Sequence, residues 1–402
     1  MTEPALLTLE PSPVPYRDSD EQLWHALAWV EQLVRAQTVR WKSAVAEHKP
    51  AQFWGMVHVT DEEIDSMLAV PWAPDARIPP TLEARRAAHW DQAAALERDL
   101  RARERVTPPG VELRLTRLRA RFELEPHEIA CVLLCLLPEL DPRYRRLYGY
   151  LQDDASRQNP NVELLRQTLE PLTGGPRVAR SMFHASSRLC RHQLVVLGAD
   201  ARNAGVPLPA RSVRVDDRVA DFLLGSDDID ARLLDCVRES RASVAWSNLY
   251  LEGELRERLR ALARRLASPD SKRPFPVVVL RGAAGSGRSV AARLIANERG
   301  QPLFCVDVRA AASKSGHWPE IAELAVREAT LSGATLLWRD ADVLWEQEPV
   351  TNDLRALTRA LNDFSGVSIL AVGSARIPAA ARFERDFLRF DLPATGYALR
   401  RA

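Results

Sequence analysis

The chain of 402 residues has few cysteines and no long apolar run. Its five cysteines are odd in number and scattered, and they form no Cys-x-x-Cys pair. This argues against a disulfide framework and a zinc site, and it favours a reducing compartment. No stretch approaches the ~18 unbroken apolar residues of a membrane span. The N-terminus lacks a basic region followed by an apolar one, so we expect no secretory signal and a cytoplasmic protein.

Neither sign of charge dominates, because 55 Lys and Arg residues are balanced by 54 Asp and Glu residues. The net charge of +1 argues against a polybasic nucleic-acid coat and against an acidic tail. Lysine is scarce, so nearly all of the positive charge is arginine; the lysines are Lys42, Lys49, Lys272 and Lys314. The hydrophobic fraction of 46% is typical of a globular protein, and the length predicts two to three domains.

The N-terminal part predicts a flexible tail followed by a helical module. Residues 1–18 carry four prolines and no apolar period, whereas residues 19–106 contain two long apolar patterns at helical spacing. We expect these two helices to form an antiparallel hairpin. Ser19 and Gln22 have capping-box spacing, so the first helix should begin at Ser19. A short helix is also expected at about 60–68.

Residues 107–248 predict a winged-helix-like domain. Helices are expected at about 111–122, 126–139 and 141–152, and the middle one is apolar nearly all round and should be buried. Strand patterns at Gln193–Leu197 and Val213–Val215 then indicate a β-ribbon. Helix is predicted again over residues 217–247.

A winged helix raises the question of DNA binding. The candidate recognition helix, NVELLRQTLEPL, sets Glu163 and Glu170 against Arg166. A helix that enters a major groove is expected to carry more basic and amide groups. We therefore expect the domain to dock protein partners, with DNA a disfavoured partner and no membrane partner.

The pattern changes after the boundary at 267–274, where short apolar runs alternate with helices. Five strands are predicted in residues 249–393, and this alternation favours a parallel sheet with helices on both faces. The predicted strands are Pro276–Leu280, Leu303–Val308, Thr335–Trp338, Val367–Val372 and Phe387–Leu392. Residues 394–402 would begin a further element.

A glycine-rich loop follows the first of these strands and opens a helix. It matches the P-loop pattern G-x-x-x-x-G-K-[ST], except that Arg288 stands where lysine belongs. Such glycines let backbone N–H groups surround phosphate at a helix N-terminus. A planar arginine does not replace the compact lysine ammonium. The alternative is a glycine-rich turn without a ligand. The candidate phosphate-binding residues are Gly282, Gly285, Ser286, Gly287, Arg288 and Ser289.

The third strand ends in two acids, Asp340 and Asp342. A P-loop ATPase needs an Asp here for Mg²⁺ and a following acid that polarises water. In one register Asp340 is the metal carboxylate and Ala341 replaces the catalytic Glu. In the other, which we favour, Arg339 replaces the metal Asp and Asp340 replaces the Glu. Both registers lose one carboxylate, and two solvated acids without a role are the alternative.

The P-loop, this degenerate Walker B strand and the segment VSILAVGSARIP together resemble an AAA+ ATPase module. The resemblance implies strand order 5-1-4-3-2, a homo-oligomer, and weak or absent binding of ATP or ADP, with Mg²⁺ on Ser289 and Asp340 only if nucleotide binds. It places Ser374 at the polar sensor position, with Ala375 where an amide is usual. Arg382 and Arg385 match arginine fingers that act on a neighbouring subunit, the alternative being surface arginines.

The N-terminal two-thirds is similar to bacterial AAA+ proteins that carry a winged helix before a decayed ATPase module. Some of them are encoded with phage-tail-like contractile injection systems. The resemblance implies that the helical lid and an intact second ATPase module are absent here, since the sequence ends nine residues after Pro393.

Three functions follow from these patterns. The first is a degenerate AAA+ scaffold with a protein-docking platform, as a structural or regulatory part of a remodelling or injection-system ATPase. The second is an active remodelling ATPase. The third is a winged-helix DNA-binding regulator. We expect negligible hydrolysis, because the P-loop lysine, one Walker B carboxylate, the sensor amide and the lid are changed or missing.

Overall fold

The computed structural model describes residues 13–47, 80–198, 205–241, 243–268, 275–313, 317–345, 352–373 and 384–394. The chain forms two compact units, Met1–Gly225 and Ser226–Ala402. The short helix predicted at 60–68 lies outside the described residues. Within the described part, no helix is long and apolar enough to cross a membrane.

The first unit begins with the expected antiparallel hairpin of two long helices, α1 (Ser19–Glu47) and α2 (Pro80–Val106). Gln22 donates to Glu104 at 2.7 Å near one end of the hairpin. The start of α1 was predicted correctly, but the capping box was not. The Glu21 amide donates to the carboxylate of Asp18 at 2.8 Å. The hydroxyl of Ser19 does not cap the helix and accepts a hydrogen bond from the Arg114 amide instead.

The predicted all-round apolar helix is α4 (Pro126–Leu140), and it is buried as expected. Its residues from Glu128 to Pro138 are inaccessible to solvent or nearly so. Because such burial stabilises each large aliphatic side chain by about 1.5–3 kcal/mol, this helix organises the first unit. The remaining helices of the unit are α3 (Arg114–Phe122), α4 (Pro126–Leu140), α5 (Pro142–Leu151), α6 (Val162–Thr168), α7 (Glu170–Thr173), α8 (Pro176–Ser181), α9 (Arg188–Arg191) and α10 (Asp217–Leu223).

The β-ribbon follows the helices, as a winged helix requires. Strands β1 (Val195–Leu197) and β2 (Val213–Val215) pair antiparallel, and an isolated bridge joins Asn161 to Ser212. The candidate recognition helix is divided into α6 and α7. The helix directly before the ribbon is α9, a single turn.

The second unit contains a mixed sheet of six strands. Its five parallel strands are β4 (Val277–Arg281), β5 (Leu303–Asp307), β6 (Thr335–Arg339), β7 (Ser368–Val372) and β8 (Phe387–Asp391). With a sixth strand, β3 (Val237–Ser240), the order across the whole sheet is β3-β5-β6-β7-β4-β8. Counted from β4, the five parallel strands therefore run 5-1-4-3-2.

The prediction of a five-stranded sheet is wrong by one strand. Strand β3 (Val237–Ser240) pairs antiparallel with β5 at the sheet edge. The sequence predicts helix for this segment, because its four residues carry too little pattern to indicate a strand. Its conformation comes from the β5 backbone beside it.

Helices cover both faces of this sheet, as expected. They are α11 (Gly253–Ala267), α12 (Arg288–Glu298), α13 (Val308–Ala312), α14 (Trp318–Ser332) and α15 (Asn352–Asp363). Alternate residues of β4 divide between the two cores: Val277 and Val279 pack with α14 and α15, whereas Val278 and Leu280 pack with α11 and α12. The buried sheet thereby fixes the position of the loop that follows β4.

Candidate functional site

The glycine-rich loop connects buried strand β4 to the first turn of α12. Gly285 and Gly287 have φ of +81° and +91°, which L side chains rarely adopt. Gly282 is required by space, since a Cβ there would lie 2.5 Å from Ser286 Oγ and 2.6 Å from the Leu392 carbonyl oxygen. The glycine spacing seen in the sequence thus has a physical cause at each position.

Two donors of this loop are buried without a hydrogen-bond partner among the described residues. They are Ser286 Oγ and Arg288 Nη1. Ser286 as a whole is 1% exposed. Buried donors of this kind are costly unless a partner satisfies them, and a phosphate oxygen is such a partner. The loop therefore fits a phosphate group.

Arg288, at the lysine position, forms an ion pair with Asp340. Its Nη2 lies 3.5 Å from Asp340 Oδ1, and the side chains are 13% and 33% exposed. The pair joins the loop to the end of β6. The cationic group of the loop thus has a carboxylate of the chain itself as its neighbour.

The end of β6 carries Arg339 and Asp340 in succession. Arg339 is the last residue of the strand, and Asp340 follows it with φ of +56°. In the parallel register Arg339 lies beside Asp307 of β5. The strand therefore ends in an arginine, and the first acid after it is Asp340.

Arg339 is held by Asp307, a residue that belongs to none of the sequence motifs. Its Nη2 donates to Asp307 Oδ2, and its Nε lies 3.8 Å from Asp340 Oδ2. Burial disfavours the charged form of Arg339, but the hydrogen bond to Asp307 and the neighbouring charges of Cys305, Asp307 and Asp340 together outweigh burial and raise the pKa of Arg339. Burial would likewise raise the pKa of Asp307, yet the Ala310 amide and Arg339 hold that pKa below its ordinary value. The one available signal for Asp307 was its place at a neighbouring strand end.

Asp342 lies in a turn of 3₁₀ helix after β6 and positions the end of β7. Its Oδ2 accepts from the Gly373 amide at 2.7 Å, and the residue is 6% exposed. A Cβ at position 373 would lie 2.7 Å from the same oxygen. The contact holds β7 just before Ser374, which lies outside the described residues.

Arg385 is not placed as a finger for a neighbouring subunit. It is 7% exposed, and its guanidinium donates to four backbone carbonyls. Nε donates to Phe275 at 2.7 Å, Nη1 to Leu361 and Phe364 at 2.6 Å each, and Nη2 to Gly366 at 2.9 Å. Burial lowers the pKa of Arg385 to about 10. Its role is structural. Arg382 lies outside the described residues.

Two cavities border the loop region. One of about 610 Å³ lies at the carboxyl ends of β4, β7 and β8 and is lined partly by Gly282, Asp342 and Gly373. The other, of about 520 Å³, lies beside β3, β5 and β6 and is lined partly by Ser289 and Arg339. Both volumes are in the range of small-molecule sites.

In the first unit, the candidate recognition helix is engaged by the α1–α2 hairpin. Arg166 pairs with Glu163 at 2.5 Å, and Gln37 of α1 donates to Gln167 at 2.7 Å. Glu170 accepts from Arg86 of α2 at 2.8 Å. The polar side chains that a recognition helix would present to DNA therefore form hydrogen bonds and ion pairs within the first unit.

The family model for the winged helix domain, variant, matches residues 8–237. The chain belongs to this family. No curated protein matches this winged-helix chain significantly.

The solved structures that are similar to part of this chain include two that contain Trip13. The structure of Rhizobiales Trip13 shares 19% identity with a TM-score of 0.26, over 41% of this chain and 72% of that one. The E. coli MS115-1 HORMA:CdnC:Trip13 complex contains a chain of 19% identity with a TM-score of 0.28, over 38% and 68% of the respective chains. At these TM-scores the similarity carries no functional argument.

Proposed function

We propose that this winged-helix protein is a non-hydrolysing, AAA+-like scaffold that docks protein partners through its N-terminal unit. In this role it is a structural or regulatory part of a bacterial protein-remodelling assembly or of a contractile-injection-system ATPase. The AAA+ assignment is supported by the P-loop after the first parallel strand and by the 5-1-4-3-2 order of the parallel strands.

The pairing of the nucleotide-site residues with one another carries the proposal. Arg288 lies 3.5 Å from Asp340, and Arg339 donates to Asp307. Hydrolysis needs a cation under the β and γ phosphates, a carboxylate for Mg²⁺ and a base near the attacking water. Here Arg288 replaces the lysine and Arg339 replaces the metal carboxylate. Asp340 lies 3.5 Å from the first arginine and 3.8 Å from the second. Loss of a general base alone removes ~10²–10⁴ in rate.

Protein docking is the role that the N-terminal unit supports better than DNA binding. The polar residues of α6 contact α1, and α9 is too short to lie along a major groove. Fluorescence anisotropy with labelled duplex DNA tests this, and we expect no saturable binding at physiological salt. Nanomolar binding that weakens steeply with salt would contradict the docking role.

Steady-state ATP turnover tests the scaffold directly, and we expect none above background. The informative variant is the double substitution Arg288→Lys and Arg339→Asp, which returns the usual residue types to two positions. Turnover in the unmodified chain would contradict the proposal.

A further inference from the structure

The carboxylates around the P-loop are already engaged with protein donors. Asp307 accepts from the Ala310 amide at 3.0 Å and from Arg339. Asp342 accepts from the Gly373 amide at 2.7 Å. The third, Asp340, lies 3.5 Å from Arg288 and 3.8 Å from Arg339. A divalent cation would have to displace these donors.

The donor set beside Ser289 does not suit Mg²⁺. This ion requires oxygen ligands in octahedral geometry. The described residues contain no group of three or more His, Cys, Asp or Glu side chains that could hold a metal ion. Two guanidiniums flank the only acid that directly follows β6, and a guanidinium repels a cation and cannot coordinate it. The arrangement therefore disagrees with the magnesium site on Ser289 and Asp340 that the resemblance implies.

The same arrangement is rich in donors for an anion. Ser286 Oγ, Arg288 Nη1 and Arg339 Nε are all buried without a hydrogen-bond partner among the described residues. They belong to the loop, to the first residue of α12 and to the end of β6. The first turn of α12 adds backbone N–H groups and the positive end of the helix dipole. Phosphate oxygens accept hydrogen bonds from all of these groups.

We propose that the P-loop binds a di- or triphosphate chain without a divalent metal, with the Arg339 guanidinium where a metal ion would otherwise lie. The inference rests on the proposed function, since it assumes a phosphate site that performs no hydrolysis. Arginine binds phosphate through a planar fork of donors. Asp340 competes with the phosphate for both arginines, so it acts as a built-in anion that weakens binding.

Calorimetric titration of the full chain tests this inference. The probes are inorganic tripolyphosphate and ATP, each in excess EDTA and in excess magnesium. We expect binding in EDTA that magnesium leaves unchanged or weakens. Tripolyphosphate binding as tight as that of ATP assigns recognition to the phosphate chain, and tighter ATP binding adds a contribution from the nucleoside. Either result supports the inference.

Three variants sharpen the test. Arg339→Gln should weaken binding in EDTA by about tenfold or more, whereas Asp340→Asn should strengthen it by about tenfold. The control is Arg359→Ala, because Arg359 is an exposed arginine of α15 that pairs with Glu323 at 3.5 Å. It should leave affinity unchanged. The gain in Asp340→Asn cannot arise from misfolding, so it keeps the inference testable if Arg339→Gln is unstable.

Two outcomes would overturn the inference. Binding that requires magnesium would show that the site holds a metal ion after all. Absence of binding under both conditions would also overturn it, while leaving the non-hydrolysing scaffold intact. ATP turnover in the same samples would instead refute the proposed function, so the two failures are distinguishable.

Discussion

Arg339 at the end of β6 donates to Asp307 at the end of the neighbouring strand β5. The two residues lie side by side in the parallel register. Asp307 contributes to raising the pKa of Arg339, and Arg339 contributes to lowering the pKa of Asp307, so each favours the charged form of the other. The carboxyl ends of β5 and β6 are therefore joined by an ion pair.

Replacing Gly282 by alanine should destabilise the second unit. The added Cβ would lie 2.5 Å from Ser286 Oγ and 2.6 Å from the Leu392 carbonyl oxygen, and the latter is backbone that cannot easily move. We expect a loss of about 1–3 kcal/mol in the free energy of unfolding, measured by urea denaturation. Gly253→Ala is the matched control, because nothing lies within 4 Å of its Cβ position. Equal effects of the two substitutions would show that the added Cβ at position 282 causes no steric clash.

Arg385 should behave as a structural residue. Truncation to methionine would leave the carbonyls of Phe275, Leu361, Phe364 and Gly366 without their donor. We expect the free energy of unfolding to fall by about 3 kcal/mol, and Arg385→Lys to recover only part of it because lysine lacks the planar fork. Arg359→Ala, an exposed control, should change stability by less than about 0.5 kcal/mol. An unaltered unfolding midpoint in Arg385→Met would refute the structural role.

His192 should make the first unit sensitive to acid. Burial, and then the charges of Arg191 and Arg188, lower the pKa of His192 to about 4. The ring of His192 packs edge-on against that of Phe122, with 5.2 Å between the ring centroids. The unfolded chain holds the proton more tightly, so stability is lost as the pH falls from about 6.5 towards 4. The loss should reach up to about 3 kcal/mol.

The comparison with His192→Gln isolates this contribution from the carboxylates that titrate in the same range. Urea denaturation of both proteins between pH 7 and pH 4.5 gives the difference. We expect the stability gap between them to narrow or reverse as the pH falls. Parallel pH profiles would show that the environment of His192 does not disfavour its charged form.

Strands β4 to β7 could be predicted from the sequence because each is largely an apolar run that the buried sheet requires. The edge strand β8 is signalled by Phe387, Leu388 and Phe390, although it also carries two charges. Strand β3 could not be predicted, since four residues with two charges become a strand only by pairing with β5. Likewise, the start of α1 was predictable, but its cap was not. Ser19 instead accepts from Arg114, a residue 95 positions away, and no local pattern reports that contact.

Some features of the candidate site could likewise be predicted from the sequence, whereas others could not. Glycine spacing predicted the loop, because positive φ and close approach leave few other residues. The sequence could not distinguish Arg385 from a surface arginine, since the nearest carbonyl that it binds lies 19 residues away and the farthest 110. The partnership of Arg339 with Asp307 depends on strand adjacency, which the motif alone does not contain.

Steady-state ATP turnover by the purified chain shows whether the second unit hydrolyses ATP. With magnesium and saturating ATP, we expect a rate indistinguishable from that of an Arg288→Ala variant and from the buffer background. A turnover near ~1 s⁻¹, within the ordinary enzyme range, that disappears in Arg288→Ala would contradict this expectation. Such a result would mean that Arg288 and Asp340 perform the chemistry that lysine and glutamate perform elsewhere.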